Sequence, residues 1–338
     1  METYAGIDLH SSNNFIGVIN GEDKRLYGKR HSNRLEEVLR ALERFKESLK
    51  AVVVESTFNW YWLVDGLQEH GYPVHLANPS AIKQYEGLKH TDDKWDSFWL
   101  AHMYRLGILP EGYIYPKQHR AVRDLLRRRL LFVRQRTAQI LSLQSMISRN
   151  LGFKMSNNEI KKLRTIDIED LFDCPNLVYM ATSSWATIEF LKHVIKGIEK
   201  QVKRQVKLRK EFAMLNTIPG IGTILALTIM LEVGDIARFP KVGDYSSYSR
   251  CVDSKRISNG KKKGENNKKN GNKYLAWAYV EAANFSRRYC MKAQRFYQSK
   301  AAKSKPVVAI KALSNKLSRA SYYIMRDQVA FDEDKLFC

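Results

Sequence analysis

The chain has 338 residues, 44% of them hydrophobic, which is ample for two or three compact cores and excludes disorder throughout. Its 57 Lys and Arg against 35 Asp and Glu give a formal net charge of +22, so its field attracts polyanions and points to nucleic acid as partner. No apolar run approaches the roughly 20 residues that span a bilayer, and the start METYAGIDLH lacks the regions of a signal peptide, so a cytoplasmic protein with no membrane partner is expected.

In chain order, TYAGIDL, NFIGVIN and KRLYGKRH read as three short strands joined by the turn segments HSSN and GED. SNRLEEVLRALERFKESL follows as a helix opening at Ser32, with Glu36 and Glu37 in its first turn. KAVVVES has the length and β-branching of a buried strand, NWYWLVDGLQEHG is a helix ending at Gly71, and YPVHLAN is another strand. A further helix covers about 93 to 106. This order predicts an α/β sheet with an antiparallel flank that closes near Pro110 to Pro116.

From Lys117 to about Arg149 the pattern becomes one long basic helix, with Val122, Leu125, Leu126, Leu130, Val133, Ile140, Leu143 and Ile147 near heptad spacing. A second long helix over roughly 185 to 214 can pair with it as an antiparallel arm, and such arms commonly dimerise. After IPGIGTILALTIMLEVGDIARFP a compact helical region resumes, with a Lys/Asn/Gly loop in its middle and helices over about 273 to 301 and 306 to 328. Four cysteines, Cys174, Cys251, Cys290 and Cys338, have neither zinc-site nor disulfide-framework spacing.

Asp8 ends the first strand and Glu55 ends the fourth, and a sheet of this order can make those strand ends neighbours. Asp93 and Asp96, three apart, share one face of a helix's first turn, while Asp92 points elsewhere. Four acids from separate segments suit the oxygen-ligand demands of two Mg²⁺ ions (or Mn²⁺) in in-line phosphoryl transfer. As single residues, each reads equally as a helix cap, a turn cap or a surface strand end.

The segments YAGIDLH, VVVES, LANP, TDDKWDSFWLAHMYRLGILPEGYIYP and IPGIGTILALTIMLEVGDIARF resemble, in order, the blocks of the DEDD transposases of bacterial insertion sequences. That family includes the pilin-gene invertases and the bridge-RNA-guided recombinases. The resemblance implies three regions: a RuvC-like, RNase-H-type catalytic domain (1–116), a coiled-coil dimerisation region (117–214) and a C-terminal transposase domain (215–338). It implies metal binding by Asp8, Glu55, Asp93 and Asp96, although Asp92 stands where the family usually has Thr or Ser.

In the basic half, IPGIG precedes an apolar helix, and Gly220 and Gly222 could let backbone N–H groups approach a phosphate as in a helix-hairpin-helix turn; a turn that only packs helices has the same pattern. The loop ISNGKKKGENNKKNGNKYLAW surrounds Ser258 with cations, among them Lys255, Arg256, Lys261, Lys262, Lys263, Lys268, Lys269 and Lys273, which would neutralise phosphates. Its composition supports no more than that. The family resemblance implies a nucleophilic serine here, and Ser258 in SNGK is its match, although Asn259 replaces the usual first glycine; Ser254 is the runner-up. The resemblance further implies a structured guide RNA, and a dimer that pairs into a tetramer on DNA. Three readings stand at this point: a serine-dependent DNA recombinase or transposase, a junction-resolving nuclease in which the same acids activate water, and a non-catalytic nucleic-acid scaffold.

Overall fold

The computed structural model describes residues 1–82, 92–205, 210–254, 256–265 and 270–337. It divides into two compact units, Met1–Lys117 and Gln118–Cys338.

The first unit is a six-stranded mixed sheet in the order β3-β2-β1-β4-β5-β6. The first three strands, β1 (Thr3–Leu9), β2 (Asn13–Asn20) and β3 (Arg25–Ser32), form the expected antiparallel meander. The buried strand β4 (Leu49–Glu55) pairs parallel to β1, and β5 (Val74–Ala77) parallel to β4, with the two-residue β6 (Glu111–Gly112) closing the edge. Helices α1 (Leu35–Glu43) and α2 (Tyr61–Glu69) cover one face, burying Val38, Leu42, Leu63 and Leu67 against Ile7, Ile16, Val18 and Val54. Ser32 does not cap α1: it ends β3, and the N-cap is Arg34, without a side-chain cap bond. Strand pairing of Ser32 with Asn13 prevails over its local capping tendency.

The other face carries α3 (Asp93–Arg105), seated by a row of glycines. Gly6 pairs with Gly17 and Gly17 with Gly28, so the three lie side by side across β1, β2 and β3. A Cβ on Gly6 would lie 1.9 Å from the Ser97 carbonyl oxygen, and one on Gly28 would lie 2.9 Å from the Phe98 ring. With no side chains in this row, the α3 backbone rests directly on the sheet. Leu100 and Met103 of the same helix fill the space over Ala51, Val53 and Ala77.

In the second unit, α4 (Lys117–Leu151) is a 35-residue helix and α7 (Pro175–Gln205) runs antiparallel to it, with Arg129 bonded to Glu199 at 2.7 Å. The second arm helix starts ten residues earlier than the sequence pattern suggests, because Leu177, Val178 and Ala181 continue its apolar face onto Ile140, Leu143 and Ile147. The short helices α5 (Asn157–Ile160) and α6 (Thr165–Glu169) close the tip, and Ser156 forms a capping box with Glu159.

Beyond the arm, α8 (Lys210–Leu215) leads to α9 (Thr223–Val233), which is buried all round and apolar except for Thr228 and Glu232 in its interior. Around it lie α10 (Val242–Tyr248), α11 (Lys273–Tyr289), α12 (Met291–Lys303), α13 (Pro306–Asp327) and α14 (Glu333–Phe337). The single helix expected over 273 to 301 is two: Cys290 is extended, with φ −129° and ψ 117°, and its Sγ accepts the Ala293 N–H as the cap of α12. Among the described residues no helix is long and apolar enough to cross a membrane, and Cys174, Cys251 and Cys290 are free thiols.

The segment read from sequence as a loop contains a hairpin, β7 (Arg256–Ser258) and β8 (Lys261–Gly264). Asn259 and Gly260 have φ of 50° and 69°, so both central residues are left-handed, the requirement of a type I′ turn and the reason Asn-Gly suits it.

Candidate active site

The parallel register sets Ile7 beside Val54, so the next residues, Asp8 and Glu55, leave adjacent strand ends together. Asp8 also lies in one cross-strand row with Phe15 and Arg30, on the face that α3 covers. The helix delivers Asp93 and Asp96 from its first turn, while Asp92 caps it by accepting the Trp95 N–H at 2.6 Å. The cap is therefore Asp92, which leaves Asp93 and Asp96 for other work.

These acids converge. The Asp8 and Glu55 carboxyls hydrogen-bond each other, which requires a proton between them; burial first, and then that bond and the Asp8 charge, push Glu55 up to about 8. Burial likewise raises Asp8, which is 4% exposed. Asp96 is raised to about 6, by burial and then by the charges of Asp8, Asp93 and Asp92. Asp93 differs. Burial would raise it, but hydrogen bonds from His10 and Arg30 together outweigh that and hold it below the ordinary range.

His10 and Arg30 were not singled out in the sequence. His10 Nε2 lies 3.1 Å from an Asp8 oxygen and 3.1 Å from an Asp93 oxygen, and Arg30 pairs with the other Asp93 oxygen. Burial lowers the His10 pKa, yet the Asp8 and Asp93 charges outweigh that and raise it. The only sequence signal for His10 is its place two residues beyond Asp8 in the same strand-to-turn segment, and for Arg30 it is the register alone.

Asp8, His10 and Asp93 each offer a ligand atom, and these atoms all lie within 4.8 Å of one another. The donor set fits a divalent cation. Carboxylate oxygens are the ligands that Mg²⁺ and Mn²⁺ prefer, and burial first, then the neighbouring carboxylates, raises Glu55 and Asp96, a cost that a bound cation would offset.

In the second unit, Ser258 is exposed and forms the last pair of the hairpin, with Lys261. The side chains of Lys261 and Lys263 are exposed, and Lys255, Lys268 and Lys269 lie outside the described residues. The backbones of Arg256 and Lys262 belong to the hairpin strands. Ser254 is half-buried, and its Oγ has no hydrogen-bond partner among the described residues. Gly220, with φ 95°, sits so close to α11 that a Cβ would lie 2.4 Å from the Ser286 nitrogen; Gly222 is exposed and N-caps α9. Close helix packing thus accounts for Gly220, and Gly222 is the glycine of the two with open space around it.

A DEDD transposase family model of the IS110 type matches residues 5–150, and the model described as the IS116/IS110/IS902 transposase family matches residues 213–298. Among curated relatives, y4qE of Sinorhizobium fredii, named as a transposase, is 24% identical over 83% of this chain and 71% of its own length. The transposase for insertion sequence element IS1111A of Coxiella burnetii is 21% identical over 67% of this chain and 62% of its own length. With two family models matching well over half of the sequence in order, and the acid cluster assembled on an RNase-H-like sheet, the chain belongs to the IS110/IS116/IS902 family of DEDD transposases, enzymes of DNA phosphoryl transfer.

Proposed function

We propose that the chain is a DNA recombinase that cuts and rejoins strands at the acid cluster, with Ser258 as nucleophile and a structured RNA as guide. The observation that carries the metal-dependent part is the gathering of Asp8, Glu55, Asp93 and Asp96 at the end of the sheet, where Asp8 and Asp93 ligand atoms lie within 4.8 Å of each other and burial, then the neighbouring acids, raises Glu55 to about 8 and Asp96 to about 6. Buried acids brought together from separate segments are what a divalent-cation site requires. Asp8, Glu55, Asp93 and Asp96 would hold Mg²⁺ or Mn²⁺, which when bound polarises the phosphate and stabilises the attacking and leaving oxygens. His10 and Arg30 hold Asp93 through their contacts with its two oxygens.

Ser258 supports the second part by its position beside the exposed Asn-Gly turn of the hairpin, near Lys261 and Lys263. In the step proposed, the Ser258 Oγ–phosphorus bond forms as the bond from phosphorus to the departing deoxyribose oxygen breaks. The Ser258 proton is lost and the departing oxygen gains one. Rejoining to another strand runs the step in reverse, with no net hydrolysis. Lysines near the phosphate would lower the cost of the charged state. Assembly as a dimer through the α4–α7 arm and pairing into a tetramer on DNA belong to the same reading, as does a cytoplasmic location.

The test is covalent trapping. Full-length protein incubated with Mg²⁺ and a cognate DNA end, then denatured, should show a protein–DNA adduct. Ser258→Ala should abolish the adduct, and Asp96→Asn should reduce both adduct and cleavage by about 10²-fold or more, the scale of losing one preorganised electrostatic group. Adduct formation undiminished in Ser258→Ala would remove the serine role; cleavage without any adduct would make the enzyme a nuclease that uses water.

A further inference from the structure

On α3, Trp95, Trp99 and His102 recur at helical spacing, which ordinarily marks a core face. Here the stripe is only half-buried, and its rings form a ladder. Trp95 and Trp99 stack at 5.1 Å and 18°, and Trp99 and His102 at 5.1 Å and 28°. A cavity of about 200 Å³ is lined by Trp95, Phe98, Trp99 and His102 together with Asp23 and Arg25 from the neighbouring sheet edge. The Arg25 guanidinium lies over the Phe98 ring at 4.4 Å, adding a cation to an aromatic wall. His102 Nδ1 is 2.8 Å from Asp23, which also binds Arg105, so the far rung of the ladder is held in place. Trp99 Nε1 is buried without a hydrogen-bond partner among the described residues, a donor that core packing alone leaves unsatisfied.

Asp93 and Asp96 occupy the first turn of this same helix, on either side of Trp95 in sequence. We propose that the cavity is a stacking subsite for one unpaired nucleobase of the DNA strand whose phosphate lies at the acid cluster, an inference that rests on the active-site reading above. An aromatic and guanidinium wall suits a π-face, and the net charge of +22 favours a polyanionic strand. DNA is the occupant because the ladder is continuous, through α3, with the acids that act on DNA. A paired base inside a duplex keeps its faces stacked and cannot enter.

The experiment is fluorescence anisotropy with the full chain, in EDTA at one fixed salt concentration. The probes are a fluorescein-labelled single-stranded oligodeoxynucleotide, its duplex, and an oligoribonucleotide of the same sequence. Trp95→Leu should weaken single-stranded DNA binding about 5- to 150-fold, the worth of one base–aromatic stack, while duplex affinity changes less than about twofold. Trp95→Phe, which keeps a ring in the fold, should retain most of the affinity. A loss below about twofold, an equal loss on the duplex, an equal loss in Trp95→Phe, or Trp95 dependence confined to the RNA would each overturn the proposal. Asp96→Asn separates the two readings: it should lose Mg²⁺-dependent cleavage yet keep Trp95-dependent single-strand binding. Retained cleavage in that variant would overturn the active-site reading, whatever the anisotropy shows.

Discussion

At the scale of single residues, the acid cluster is held against its own electrostatics. Burial keeps a proton between Asp8 and Glu55 and lifts Glu55 to about 8 from an ordinary value near 4.5. A carboxyl raised in the folded state binds more protons than the unfolded chain between those values, so the metal-free protein should lose stability as pH rises from about 5 to 8. Glu55→Gln removes that titration. In EDTA the variant should be more stable than the parent at pH 8 by at least about 1 kcal/mol, one pKa unit's worth, and the two should converge near pH 5. Thermal melts across that range check this; equal slopes for both proteins would mean that Glu55 is not the group responsible. Adding Mg²⁺ should stabilise the parent more than the variant, because only the parent offers the carboxylate.

At the scale of elements, the seating of α3 on the Gly6, Gly17 and Gly28 row decides whether the site exists. Gly6→Ala would place a methyl 1.9 Å from the Ser97 carbonyl oxygen, so strand or helix must move. Overpacking of this kind costs about 1–3 kcal/mol, and a shift of α3 carries Asp93 and Asp96 away from Asp8 and Glu55. The variant should therefore lose metal-dependent cleavage out of proportion to its lost stability. Gly21→Ala, where nothing lies within 4 Å, is the matched control and should leave both unchanged. None of this was legible from the sequence pattern, since each glycine alone reads as an ordinary strand residue and only the register aligns them. The hairpin at Ser258 was legible in principle: Asn-Gly between short polar strands signals a type I′ turn, but the lysine-rich composition masks the β pattern.

At the scale of the molecule, distant parts of the second unit are tied by one buried carboxylate. Glu232, 3% exposed, accepts Arg127 of α4 at 2.6 and 2.7 Å and Asn272, the N-cap of α11, at 2.7 Å. Arg127 in turn lies over the Tyr274 ring at 4.6 Å. Glu232→Ala should cost about 3 kcal/mol, near the low end for a broken buried pair because Arg127 keeps some solvent contact. Denaturant titration measures it, and a cost below about 1 kcal/mol would show that the three helices hold together without the pair. Glu232 sits inside the LTIMLEVGDIARF block that carries the resemblance, and its bonds to Arg127 and Asn272, which tie helices together, come from segments that the sequence pattern does not connect.

The sequence by itself determined the family, the meander followed by alternating helices and strands and the long basic arm, because periodicity, turn chemistry and motif order are local properties of the chain. It did not determine that Asp92 rather than Asp93 caps α3, that His10 and Arg30 take up Asp93, that Gly220 is a packing glycine, or that Trp95 and Trp99 stack beside a cavity. Each of those rests on contacts between segments far apart in the chain. Strand register and the close approach of a helix to a sheet set them, and only the folded structure contains either.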